Sequence, residues 1–246
     1  MKFLKDALTI AWMKSYPDIR RNPLLLIIIG MINALPLFFM VLFSRGELLI
    51  HGLIGAMVST VSFLGLMSAI QDVAWDRYVK IREMFVAMPI HPISYAIGAA
   101  LAPLLVSLPA LFFFICMISW FGNIGIVSLA FMFMPLILCW LCMSIIGFFI
   151  STYLQKASPY MLNNLSNILG FGLIFLPPVY YPEEMLGQLS WISQLIPTSN
   201  VASLIRITLG LAPYSFENVV ARWITLLVVT VIVLVLTLMK SRWRES

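Results

Sequence analysis

From Pro92 to Gln155 the chain carries no charged side chain. A single helix over that run would be about 96 Å long, roughly three bilayer cores, so the run must fold back on itself. The stretch FGNIG, residues 121–125, supplies the turn and predicts two apolar helices, over 97–121 and 126–150. No soluble domain wraps such a core. Hydrophobic residues make up 62% of the 246 and charged ones 10%, whereas soluble domains run near about half and about a quarter. The interior must face lipid, and the fold class is all-α.

Four further spans follow from the same criterion. Residues 23–43 hold no charge, and about 21 residues match one hydrocarbon thickness. A polar turn with Arg45 and Glu47 leads to a span over 48–70, and two more cover 160–176 and 223–239. The expectation is therefore a polytopic bundle of six transmembrane helices forming one domain, 1–246. The N-terminus does not read as a cleavable signal, because the first apolar span starts only after five basic residues and ends without a small-x-small site. Cys116, Cys139 and Cys142 all lie within apolar runs, so they read as small apolar fillers rather than a disulfide framework.

The basic residues orient the bundle. Lys2, Lys5, Lys14, Arg20, Arg21, Arg77, Lys80, Arg82, Lys156, Lys240, Arg242 and Arg244 fall on one side, against Arg45, Arg206 and Arg222 on the other. Positive charge stays inside, which predicts a multi-pass cell-membrane protein with both termini in the cytoplasm. The proline-broken stretch after residue 176 is then extracellular.

Three segments are neither spans nor short turns. In residues 1–22, Phe3, Leu4, Ala7, Leu8, Ala11 and Trp12 form one stripe, with Lys2, Lys5, Asp6 and Thr9 opposite, which predicts an amphipathic helix on the inner leaflet, in contact with membrane lipid. In residues 71–95, Asp76 and Lys80 stand four apart in acid-first order and support a short helix, with Pro89 and Pro92 bracketing a kink. Two readings stand there: a docking knob built on Arg77, Lys80, Arg82, Glu83, Met84 and Phe85, or a solvated connector resting on the membrane surface. The outer segment 177–222 predicts two half-helices. The first starts at Pro182 with Glu183 and Glu184 in its first turn and repeats Met185, Leu189 and Ile192 on one side; the second runs from Pro197 to Gly210. Each is too short to cross, so they read as a re-entrant plug, or in a milder version as helices resting on the outer surface. Pro177, Pro178, Tyr180, Tyr181, Pro182, Glu183 and Pro197 are its candidate gate residues.

Much chemistry is excluded. None of the glycines is followed by lysine, so there is no P-loop. His51 and His91 fall on opposite sides of the membrane in this topology, and no H-E-x-x-H occurs. No charged residue sits mid-span to carry a proton or ion relay. Neither an enzyme nor a nucleic-acid binder is expected, and no cofactor or metal. Within the spans, Gly52, Gly55, Ser59, Ser62 and Gly65 leave a groove for close helix packing. Asn163, Asn164 and Asn167 either glue helices together or line a translocation path.

With those residues in view, LPPVYYPEEMLGQLSWISQLIPTSNVASLIR resembles the outer segment of the permease subunit of ABC type-2 transporters, the ATP-binding-cassette exporters of drugs, lipids, polysaccharides and peptides. REMFVAMPIHPISYAIGAAL is similar to that family's coupling helix and the start of its third span. The resemblance covers the whole chain. It implies two permeases, paired as a homodimer around a central path, docked on separate ATPase subunits that hold the ATP and magnesium. It also implies that residues 3–16 form a connecting helix and 77–91 the coupling region, with Glu83 touching the nucleotide-binding subunit. An ATP-independent carrier or channel, and a membrane anchor for another complex, stay open beside it.

Overall fold

The computed structural model describes residues 2–21, 23–80, 91–122 and 125–240. Among them the chain is helical, with no strand: α1 Lys2–Arg21, α2 Pro23–Phe43, α3 Leu49–Tyr78, α4 Pro92–Gly122, α5 Ile126–Tyr153, α6 Pro159–Phe175, a 3-10 stretch Glu183–Leu189, the single turn α7 Ser190–Ser193, α8 Pro197–Thr208 and α9 Phe216–Lys240. Two of the predicted breaks fall where expected: α4 ends at Gly122, and the Ser158 side chain accepts a hydrogen bond from the Met161 amide to cap α6, with Pro159 behind it.

Among the described residues, four helices are long and apolar enough to cross a membrane: Leu49–Tyr78, Ile93–Gly122, Val127–Tyr153 and Phe216–Met239. The other two expected spans correspond to α2 and to α6, whose 17 residues reach only about 26 Å. α3 is the axis of the bundle. Its most apolar window is 78% buried inside the protein, against 17% for α9. The small residues of α3 explain this, because they let neighbours approach closely. A Cβ on Gly52 would strike Leu37 of α2, and one on Gly65 would meet the Trp140 carbonyl of α5.

Three expectations change. The span expected to end at residue 70 runs on to Tyr78, because its distal carboxylates find partners: Lys14 of α1 lies 2.7 Å from Asp76 and 3.9 Å from Asp72, and the Tyr95 hydroxyl of α4 donates to Asp76. Lys80 stands beyond the helix end at φ 63°, exposed, so Asp76 is held by α1 and α4 rather than by an intrahelical pair. The N-terminal stripe also splits. Ala7, Ile10, Ala11 and Ser15 are buried, with Ala7 and Ile10 against Gly98 of α4, while Leu4, Leu8 and Trp12 stay exposed on the adjoining face. Finally, the first half-helix is not a regular α-helix. Gly187 adopts φ 53°, ψ −119°, which breaks the turn pattern, and Met185 and Leu189 point outward.

Candidate functional site

The chain between α6 and α9 gathers at one end of the bundle, opposite the end where Lys14 meets Asp76. Its first element is the Pro177–Pro178 break, which carries Val179 and Tyr180 into the protein; all four residues are buried. The Tyr180 hydroxyl donates to the Asn33 carbonyl of α2 at 2.8 Å and is hydrogen-bonded to the Ser59 hydroxyl of α3 at 2.7 Å. Gly55 makes room for it. α8 begins at Pro197, a favoured first-turn position, and Thr198 donates to the Leu173 carbonyl of α6. The Asn200 amide nitrogen donates to the Gln194 carbonyl at 2.7 Å. The segment is thus tied to α2, α3 and α6 before any charge is counted.

Glu183 sits at the centre. One of its carboxylate oxygens accepts from Ser193 at 2.7 Å, Ser203 at 3.0 Å and Arg222 Nη1 at 2.9 Å, and the other accepts from Arg222 Nη2. Four elements converge there: the 3-10 stretch, α7, α8 and the second turn of α9. Arg222 also reaches the Asn200 side-chain oxygen at 3.3 Å. Arg206 of α8 is 2% exposed and donates to the Pro178 carbonyl at 2.9 Å and to that of Val179. These are main-chain acceptors that the proline break leaves without a helical donor. The arginine therefore closes the hydrogen-bond account of the break. His51, in the first turn of α3, faces the same space as Glu183, Glu184, Arg206 and Arg222.

Burial opposes the charge on Glu183, but hydrogen bonds from Arg222 and Ser193, the Arg222 charge and Ser203 outweigh it, holding the carboxyl below its ordinary 4.5. Burial pushes the Arg206 guanidinium down to about 10, so it remains a cation at neutral pH. A carboxyl with a lowered folded-state pKa contributes stability that is whole above 4.5 and is lost as pH falls through the folded value. The unfolding midpoint should therefore hold from pH 7 down to the ordinary carboxylate range and then drop. Glu183→Gln should flatten that acid limb in a pH series of thermal melts.

The expected gate residues are brought together. Pro177, Pro178, Tyr180 and Pro197 are buried, and Tyr181, Pro182 and Glu183 are half-buried around the cluster. The candidate coupling residues are only partly placed. Arg77 lies in the last turn of α3 and ties it to α5, with Nη2 3.3 Å from the Ser151 hydroxyl, while Arg82, Glu83, Met84 and Phe85 lie outside the described residues. Of the three asparagines, Asn163 accepts from Gln71 of α3 at 2.6 Å and so joins α6 to α3, Asn167 is half-buried, and Asn164 is exposed. In the sequence Arg206 and Arg222 count only as charges on a cation-poor face. A signal is present: Arg206 lies between Ile205 and Ile207, where a lone arginine needs a partner.

Among curated proteins, none matches this chain. A family model does match, that of the ABC-2 type transporter, over residues 6–210. This stretch takes in α1 to α8 and every member of the cluster except Arg222. The long apolar helices and the buried break suit a membrane transporter, and with most of its length matched the chain belongs to the family of ABC-2 type transporters.

Proposed function

We propose that this chain is the permease subunit of an ATP-binding-cassette exporter, moving a hydrophobic or amphiphilic substrate by alternating access. The observation that carries the reading is the Glu183 cluster. It fastens the proline-broken segment to α8 and α9 through one carboxylate, so the segment moves as a body or not at all. Such a latch is bistable, because a buried pair is either made or broken, and an energy source must bias it. In this reading α2 and α6 complete a set of six spans and both termini are cytoplasmic. The proline-broken segment is the outer closure, and two copies pair around the path. Asn163 and Asn167 stand near that path at the other half of α6.

The drive comes from outside the chain. ATPase subunits holding ATP and magnesium press on residues 77–91, and α3, a continuous helix from Leu49 to Tyr78, carries the push toward His51 beneath the closure. The rigid link favours this route: Arg77 holds the driven end to α5, and Tyr180 meets Ser59 toward the other.

The test uses the permease co-expressed with its ATPase in proteoliposomes. Arg82→Ala/Glu83→Ala is expected to lower copurification of the ATPase and substrate-stimulated hydrolysis together. Unchanged values for both would remove the coupling role. In intact cells that express the same pair, with the native cysteines replaced, an impermeant thiol reagent should label Gln188→Cys from the outside. Labelling only after permeabilisation would invert the topology.

A further inference from the structure

Two cavities flank the contact of α8 with α9. The first, about 120 Å³, is polar and is lined by His51, Glu183, Glu184, Arg206, Asn218 and Arg222. The second, about 370 Å³, is lined largely by apolar side chains, among them Phe131, Met134, Leu204, Val219 and Trp223. That size falls in the range of small-molecule sites. Ile207 lines both cavities. The arrangement follows from helix geometry. Asn218 and Arg222 of α9 face the polar cavity, and their successors Val219 and Trp223, one step of about 100° around the helix, face the apolar one.

The polar cavity holds surplus donors. Arg222 is paired with Glu183, but Arg206 has only the two main-chain carbonyls and makes no ion pair among the described residues. Arg206 is 2% exposed and Arg222 6%, yet the Nε of each, and Nδ1 of His51, lack a hydrogen-bond partner. Glu184 at the rim is exposed to solvent and cancels little of the buried charge. A buried guanidinium with spare N–H groups is stabilised by an oxyanion, through charge-assisted hydrogen bonds. Two guanidinium Nε–H donors and the unpartnered His51 nitrogen suit the three free oxygens of a phosphate monoester better than the two of a carboxylate.

We propose that these adjoining cavities bind an amphiphile with a phosphate headgroup and a hydrocarbon chain, the phosphate among Arg206, Arg222 and His51 and the chain past Ile207 in the apolar cavity. The inference rests on reading this end of the bundle as the transporter's outer closure, and it names the substrate class that reaches it. Arg206 also supports the proline break, so its loss is a poor test. His51→Leu removes one donor without touching the Glu183–Arg222 pair, and Met134→Trp fills the apolar cavity from its rim.

The experiment is isothermal titration of the full chain, without ATPase, in phosphatidylcholine nanodiscs, using dodecyl phosphate, dodecanol, laurate and inorganic phosphate. Dodecyl phosphate is expected to bind saturably and at least tenfold more tightly than the other three. His51→Leu should weaken it at least fivefold and leave dodecanol unchanged, and Met134→Trp should weaken both chains and leave phosphate unchanged. Equal binding of dodecanol (an apolar slot only), of inorganic phosphate (an anion pocket only) or of laurate would overturn the proposal, as would the absence of saturable binding. Since no ATPase is present, failure here leaves ATP-driven transport standing. Failure of the Arg82/Glu83 test likewise leaves this site standing.

Discussion

Glu183→Ala should lower the unfolding free energy of the detergent-solubilised chain by about 3 kcal/mol, the low end of the cost of removing one partner from a buried ion pair, because Arg222 is buried and Glu183 half-buried. The loss exceeds that of a surface bridge because Arg222 is 6% exposed and Arg206 2%, and Glu183 is the carboxylate that neutralises this cluster. Without it two guanidiniums remain buried near each other, and Ser203 loses its acceptor. Removing Arg222 as well takes away one of the stranded charges. Glu183→Ala/Arg222→Ala should therefore lose less than the two single losses added, with a coupling of about 0.5–3 kcal/mol. Denaturant melts of the four proteins measure this. A single-variant loss below about 1 kcal/mol, the value of a surface pair, would mean the cluster does not hold the segment.

Gly55→Ala is the second large effect, and it is steric. A Cβ there would lie 2.6 Å from Tyr180 Cδ1 and 2.7 Å from Tyr180 Cα. A ring can rotate away, but the backbone of Tyr180 cannot. It is pinned by Arg206 on the preceding carbonyls and by its own hydroxyl to Asn33 and Ser59. Overpacking of this kind costs about 1–3 kcal/mol. The thermal midpoint should fall, and the proline-broken segment should become accessible to protease. Gly172→Ala, where the added methyl meets nothing within 4 Å, is the control and should leave the midpoint in place. Equal midpoints for the two variants would show that Tyr180 is not seated against α3.

Helix positions were readable because each depends on local signals. A charge-free run longer than a bilayer must turn, prolines start α4, α6 and α8, and Gly210 at φ 72° follows the end of α8. The extension of α3 was not readable, since Asp72 and Asp76 look like loop charges until Lys14, some sixty positions earlier in the chain, arrives beside them. The irregular 3-10 stretch was hidden for a related reason. PEEMLG satisfies the rules for a helix start, but Glu183 gains more by turning inward to Arg222 than by decorating a helix terminus.

The sequence alone determined that the protein is an all-helical, lipid-facing chain with a proline-interrupted segment ahead of its last apolar helix. Periodicity, charge spacing and helix breakers act over a few residues, so their consequences can be read without coordinates. Only the tertiary structure decided what that segment is fastened to. The contacts of Glu183 with Arg222, of Arg206 with the Pro178 and Val179 carbonyls, and of Tyr180 with Ser59 join residues 27 to 121 positions apart. An arginine between two isoleucines signals locally that Arg206 needs a partner, but no local rule says which partner it finds.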